Sequence, residues 1–545
     1  MEKFVEKFLF TAGVKQKYID TLTSASSISY YTTACTDPSF DENNNYLFFR
    51  DLGTLSFYKA IIFYFVDKFP NVTEKTLTLN RNNTTRDSLV GVYMEKFGLG
   101  EHILYDPKIK LTEKNYQYIF EAIIGATEFL LDYNYKFGIG NIVIQKICFF
   151  YLDQVANLDE SKLDNFKTIL KEMYFDQNKR TNKLITEHVK DSENIFHVQL
   201  FDTNLTTGSR QKIGEGSSNT IITAEQIASE QAVQLLTSKG LIKEKKQKQK
   251  VLKPEQSFLY RAPRDQRFQS FILNLLKRVY FLTDLKLEKE DMNIFEKCFT
   301  HPLVHDNNYE LLETIGDNIL NKCVRWYISK RFPDLNCPEG ISVSTKLKIS
   351  LIDTKGYAKF AEELGFYDYI SCFRVGTDFE RLQLLEDVFE SFFAATEIVI
   401  DKKYKKGMGY VACFKLLSNI LDSEELDLNY NVLVDAKTQL KELFDLYKMY
   451  KIKYEYEPFA PFKTYIKEQT LITEGCGCKD YHEPTTHVYK KEVWSKFVNV
   501  GNPPLFGVGS TEKEAEQNVA KLALTYYNSK GISRPIPKQF LKFCV

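Results

Sequence analysis

The chain has 545 residues, 43% of them hydrophobic, enough to bury several cores, so about three to five domains are expected. Lysine plus arginine equals aspartate plus glutamate at 72 each, which excludes a long-range positive field and leaves any hold on a polyanion to local patches. Charges interrupt every apolar run of bilayer-spanning length, and the ten cysteines are mostly scattered singly, so a soluble, intracellular, cytoplasmic protein with no membrane partner is expected.

From the N-terminus, apolar residues recur at spacings of three and four with little β-branched alternation, which predicts an all-helical module over 1–155. It contains the runs YLFFRDLGTLSF from Tyr46 and IFEAIIGAT from Ile119. A second module, over 160–240, opens on a helix at DNFKTILKE from Asp164. It continues through alternating segments such as FHVQLFD from Phe196, which read as strands, to a Gly/Ser-rich turn, IGEGSS, and an alanine-bearing helix, EQIASEQAVQLL. Residues 241–262 form a basic linker, where Lys243, Lys245, Lys246, Lys248, Lys250 and Lys253 crowd around Glu244; a solvated connection is its expected role.

The order then repeats. A helical module over 263–425 carries YELLETIGDNIL from Tyr309 and VFESFFAAT from Val388. A module over 433–530 carries DAKTQLKE from Asp435, the strand HVYKKEVWSKF from His487, the turn FGVGST and the helix EKEAEQNVAKLAL, with 531–545 as a tail. Gly53 aligns with Gly316, Glu121 with Glu390 and Asp164 with Asp435, at offsets of 263, 269 and 271 residues. Offsets so nearly constant mean duplication of a composite unit. The expected fold class is multidomain, with two all-α domains alternating with two α+β domains of α-β-β-β-α order.

On the helix from Glu310, Glu313 and Asp317 stand four apart and share a face with Gly316, Leu320 and Val324. On the later helix, Asp387 and Glu390 share a stripe with Ala394 and Ile398. Acids on a packing face are costly unless something positive compensates them. Gly316 and Ala394 are small enough to let the two helices touch, so four carboxylates are predicted to converge. A divalent cation relieves such a cluster, and oxygen-only ligands suit Mg²⁺ or Mn²⁺. Metal held there can lower the pKa of a bound water and stabilise both oxygens of a phosphodiester displacement. In the first copy the aligned positions are Arg50, Thr54, Tyr118 and Glu121, so the packing pattern survives and the acids do not. Arg50 is expected to sit where a cation would and to pair with Glu121 as a buried, bidentate ion pair.

ELLETIGDNIL (Glu310 to Leu320) and LEDVFESFFAA (Leu385 to Ala395) resemble the two acidic motifs of the ribonuclease III family. FTHPL from Phe299 and KLKISLIDTKGYAKFAEELGF from Lys346 resemble its connecting segments. The resemblance implies a double-strand-specific endoribonuclease, with Glu313, Asp317, Asp387 and Glu390 as catalytic, metal-binding carboxylates and Mg²⁺ (or Mn²⁺) as cofactor. It implies double-stranded RNA as partner and an intramolecular pseudo-dimer of an active second and a degenerate first nuclease domain. A homodimer through the second domains is the alternative assembly. The trailing modules resemble double-stranded RNA-binding domains, which implies RNA contacts from Lys513 and Lys521 on the last helix and from Lys490, Lys491 and Lys496. The first such module has Glu225, Gln226 and Ser229 in the matching stretch and no lysine, so weak RNA binding and a structural role both stay open.

Cys476, Cys478, His482 and His487 are zinc-type ligands, yet their C-x-C start departs from the usual spacing. A flexible loop with unrelated cysteines is expected there, and zinc is the alternative. No GxxxxGK[ST] loop is present, so no built-in helicase is expected. The alternative function is a non-cutting protein that sequesters duplex RNA or scaffolds another nuclease subunit.

Overall fold

The computed structural model describes residues 1–69, 72–85, 87–155, 182–191, 195–204, 206–218, 221–240, 259–373, 378–447, 454–458, 489–493, 505–509 and 512–543, with single positions at 166, 170 and 174. The chain divides into two compact units. The larger holds Met1–Glu74, Thr85–Gln154 and Pro254–Val545; the smaller holds Lys75–Thr84 and Val155–Lys253. The helix expected from Asp164, the basic linker and the Cys476–His487 segment fall largely or wholly outside the described residues.

The first half of the larger unit is helical: α1 (Glu2–Thr11), α2 (Gln16–Leu22), α3 (Ala25–Ala34), α4 (Leu47–Lys68) and, past α5 (Glu74–Thr84), α6 (Asp87–Glu95), α7 (Glu113–Asn134) and α8 (Ile139–Val155). In the smaller unit β1 (Asn182–Lys190), β2 (Phe196–Asn204) and β3 (Arg210–Ser218) form an antiparallel sheet in sequence order, followed by α9 (Ile221–Ser238). The second half of the larger unit opens on β4 (Leu259–Tyr260), then α10 (Gln266–Leu276), α11 (Lys289–Cys298), α12 (Glu310–Arg331), α13 (Gly340–Ile352) and α14 (Thr354–Glu363). β5 (Cys372–Phe373) pairs with β4 and precedes α15 (Asp378–Lys403), α16 (Met408–Leu421), α17 (Tyr430–Leu433) and α18 (Ala436–Leu446). A second antiparallel sheet of β6 (Tyr454–Pro458), β7 (Tyr489–Val493) and β8 (Phe506–Gly509) leads to α19 (Glu512–Ser529) and α20 (Lys538–Phe543). No helix among the described residues is long and apolar enough to cross a membrane.

The two Gly/Ser-rich stretches are not turns, as their composition suggested, but third strands. A methyl group on Gly214 would lie 2.1 Å from the Ala228 carbonyl oxygen, and one on Gly216 would lie 2.2 Å from that of Ala224. Gly507 meets the Ala515 carbonyl at 2.2 Å in the same way. Glycine in the strand and alanine in the helix are what allow backbone to seat on backbone, so a composition that reads as a turn marks a packing contact.

The helices that carry the candidate acids are built alike in both halves. Asn45 accepts a hydrogen bond from the Leu47 N–H at 3.1 Å, and Asn308 accepts one from the Glu310 N–H at 2.9 Å, satisfying a free donor in the first turn of α4 and of α12. α4 then packs on α7 and α12 on α15. At the crossings an added methyl on Gly53 would lie 1.7 Å from the Glu121 carbonyl oxygen, and on Gly316 1.9 Å from that of Glu390.

The halves also meet each other, and their contacts come in exchanged pairs. Lys59 of α4 bonds Glu397 of α15 at 2.5 Å, and Lys322 of α12 bonds Glu128 of α7 at 2.6 Å, with all four side chains at most 1% exposed. A Cβ on Gly138 would strike Val411 and one on Gly407 would strike Ile142; both glycines have φ near +90°, which other residues rarely adopt. Lys59 aligns with Lys322, Glu128 with Glu397, Gly138 with Gly407 and Ile142 with Val411 at the repeat offsets. Each contact thus has a counterpart with the two halves exchanged.

Candidate active site

α12 and α15 present their acids where Gly316 lets the two backbones touch. Glu390 is buried, and Glu313, Asp317 and Asp387 are partly buried. Burial raises the Glu390 carboxyl well above the usual range, and the neighbouring charges that act most on it, Asp317, Glu313, Glu386 and Asp387, are all acids that raise it further. Glu313 is pushed up to about 8, by burial first and then by Asp387, Glu74, Glu310 and Glu386. Asp387 is pushed up to about 6 by burial, against a lowering hydrogen bond from the Tyr309 hydroxyl, which it accepts through Oδ2 at 3.0 Å. Asp317 accepts from the Asn321 side-chain amide at 2.5 Å.

All four predicted acids therefore act on one region, but they do not close on one point. Among the described residues no three His, Cys, Asp or Glu side chains stand near enough to hold a metal ion together as placed. The chemistry of the donor set still fits a hard divalent cation, since it is oxygen-only, self-repelling and crowded with like charge.

Sequence reasoning missed Glu310 and Glu386, which extend the acidic field, and Tyr309 and Asn321, which hold Asp387 and Asp317. Asn321 lies one helical turn from Asp317, a spacing that could have flagged it. Lys348 of α13 was also missed; burial lowers its pKa while Asp51 and then Asp317 oppose that, which puts a lysine in the field of the site.

The aligned place in the first half is differently made. Arg50 Nε lies 3.3 Å from Glu121 Oε2, Thr54 donates to the same oxygen at 2.8 Å, and the Gln117 amide donates to Oε1 at 3.0 Å. The Arg50 guanidinium also stacks 3.3 Å from the centre of the Tyr118 ring. The expected pairing of Arg50 with Glu121 is present, with a correction: one contact joins them rather than a bidentate fork, and the Arg50 side chain is 31% exposed. Thr54 shares Oε2 with Arg50, and Gln117 takes Oε1, so both carboxylate oxygens of Glu121 are occupied.

Of the expected RNA-contacting lysines, Lys513 and Lys521 are exposed on α19. Lys490 and Lys491 lie on β7, paired in register with Glu457 and Tyr456. Lys496 and the four zinc-type residues, Cys476, Cys478, His482 and His487, lie outside the described residues. In the first module Ser229 is buried on α9 and donates to the Glu225 carbonyl, so it faces inward.

Comparison with known proteins bears on this arrangement. The ribonuclease III domain family matches residues 310–399, the stretch from the start of α12 through most of α15. A ribonuclease 3 of Limosilactobacillus reuteri (strain DSM 20016) is 30% identical over 266 residues, covering 46% of this chain and 97% of that enzyme. The chain belongs to the ribonuclease III family. Candidate ribonucleases 3 of two viruses are also similar to this family member. That of Frog virus 3 (isolate Goorha) is 37% identical over 159 residues, or 29% of this chain and 43% of the viral protein. That of Invertebrate iridescent virus 6 is 28% identical over 307 residues, or 53% and 96%. Among solved structures a Dicer from Pichia stipitis covers 44% of the chain at 20% identity and a TM-score of 0.20, too loose a superposition to carry a structural argument.

Proposed function

We propose that this ribonuclease III family member hydrolyses double-stranded RNA with a single divalent-metal centre in its second half, spanning residues 263–425, while the first half, over 1–155, serves as its inactive pairing partner. The observation that carries the reading is the crowd of acids on α12 and α15, in which burial and neighbouring like charges raise Glu313, Asp387 and Glu390. Glu313, Asp317, Asp387 and Glu390 would hold Mg²⁺ or Mn²⁺, which when bound supplies a water of lowered pKa and stabilises the leaving oxygen. Tyr309 and Asn321 orient Asp387 and Asp317 from outside the set. The exchanged Lys–Glu contacts support the pseudo-dimer reading. The three-stranded sheets, each followed by a helix among the described residues, support two duplex-binding modules, over 160–240 and 433–530, with Lys513 and Lys521 exposed to meet phosphates in the second. Zinc at Cys476, Cys478, His482 and His487 remains the alternative to a plain loop.

The test is cleavage of a labelled duplex RNA in Mg²⁺ by the full chain beside a D317N/E390Q variant. Strand cutting by the parent and its loss in the variant, with duplex binding kept, is the expected result. The competing reading, a chain that holds duplex RNA without cutting, draws on the acids' failure to close on one point as placed. Binding by the parent with no cutting in Mg²⁺ or Mn²⁺ would establish it.

A further inference from the structure

We infer that the surface joining the two halves is keyed to this chain's own first half and rejects a second copy of the catalytic half. The inference rests on the pairing of halves proposed above and adds what decides the partner. The buried Lys–Glu pairs cannot decide it. Each half offers one lysine and one glutamate, Lys59 with Glu128 and Lys322 with Glu397, so two copies of the same half would satisfy them equally.

Arg325 breaks the tie. Its side chain is 1% exposed, its Nε meets the Asp51 carboxylate of α4, and its guanidinium lies 5.7 Å from the centre of the Phe48 ring. At the 263-residue offset Asp51 aligns with Thr314, and Arg325 with Ile62. Two catalytic halves paired in the same way would therefore set each Arg325 against Thr314, burying two guanidiniums without a carboxylate. Loss of one partner from a buried ion pair is strongly destabilising, because the remaining charge keeps its desolvation penalty. Nη1 and Nη2 of Arg325 already lack hydrogen-bond partners among the described residues, so Asp51 is the group that compensates it.

The rim of the surface repeats the asymmetry. Lys406 pairs with Asp67 at 3.1 Å, whereas Lys330 sits over Phe137, 4.0 Å from the ring centre. Asp67 aligns with Lys330 and Phe137 with Lys406, so two catalytic halves would bring Lys330 against Lys406 at both ends. Trp326 meets Phe129 and Phe137 at centroid distances of 6.3 and 6.0 Å, and the aligned positions in the second half are Ile398 and Lys406. A self-pair would thus lose its aromatic neighbours as well as its counter-charges. Each chain then offers one acid set per duplex, and the two RNA strands are cut in separate encounters.

Thermal melts and sedimentation velocity on the full-length chain, without RNA, test this. The parent should sediment as a monomer. D51K should melt several degrees lower and still be monomeric, since freeing the catalytic half gives it no acceptable twin. D51K/T314D/K330D, which gives that half the two carboxylates it lacks, should dimerise at micromolar concentration. The reversed pair D51R/R325D should regain most of the melting temperature lost in D51R. Self-association of the parent or of D51K, a triple variant that stays monomeric, or a reversed pair without recovery would overturn the keying. An unchanged melting temperature in D51K would instead overturn the pairing of halves itself. Nuclease activity enters neither readout, so failure of the cleavage reading stays distinguishable.

Discussion

Glu121 and Glu390 occupy equivalent positions on α7 and α15, both against a glycine of the neighbouring helix, yet their surroundings are opposite. Burial raises both carboxyls. Around Glu121 every further influence opposes the rise: Thr54, Arg50 and Gln117 all favour the charged form. Around Glu390 the further influences, Asp317, Glu313, Glu386 and Asp387, reinforce it. The same backbone frame thus holds one carboxylate that its neighbours satisfy and one that its neighbours frustrate. A satisfied carboxylate has nothing left to offer a ligand, whereas a frustrated one is stabilised by any cation that arrives.

The contrast is broken most sharply by removing each acid in turn. E390Q should cut duplex cleavage by on the order of 10³-fold while leaving the metal-free fold as stable or more so, since it removes a repelled charge. E121Q should do the reverse, leaving cleavage near the parent level and costing about 1–3 kcal/mol in denaturant melts, because Arg50 loses its counter-charge and one uncharged oxygen replaces the two that accept from Arg50, Thr54 and Gln117. If E121Q impaired cleavage more than stability, the first half would have a catalytic share that this comparison denies it.

Rebuilding the lost set should convert one environment into the other. R50E/T54D/Y118D is expected to lower metal-free stability by about 3 kcal/mol, as the half-buried Arg50–Glu121 pair is broken and like charges are added, and Mg²⁺ should restore part of it. Calorimetry with and without the ion reads both effects.

The pH dependence has a definite sign. Glu313, raised to about 8, and Asp387, raised to about 6, bind protons in the folded state that the unfolded chain has already released above pH 4–5. Metal-free stability should therefore fall as pH rises from about 5 to 8, on the order of 2 kcal/mol across that window, and added Mg²⁺ should flatten the fall. Thermal melts at fixed ionic strength show it; a metal-free chain that gains stability over this range would remove the frustration argument. The smallest effect is assigned to Y309F, which removes the pKa-lowering hydrogen bond that the Tyr309 hydroxyl donates to Asp387. The pH at half-maximal cleavage should move upward by less than about one unit, with maximal rate within several-fold of the parent.

Much of this was legible in the sequence because it depends on short-range spacing. Acids four or three apart on an apolar stripe, with Gly316 and Ala394 beside them, announced two touching helices. Arg50 opposite Glu121 followed from register alone. What the spacing could not convey was the final placement of side-chain ends: the stack of Arg50 on Tyr118, the failure of the four carboxyl groups to close on one point, and the reach of Tyr309 to Asp387. These depend on rotamers chosen by tertiary neighbours. The glycine-rich third strands misled for a related reason, since glycine serves turns and close packing alike, and only the alanines of the following helix tell the two apart.

The crossed lysines also constrain how the molecule is made. As the N-terminal half leaves the ribosome, Lys59 and Glu128 have no counterparts, because Glu397 and Lys322 are hundreds of residues from being synthesised. Folding of that half by itself would leave both side chains on an uncovered face without their ion-pair partners, so this surface is completed only once the later helices emerge.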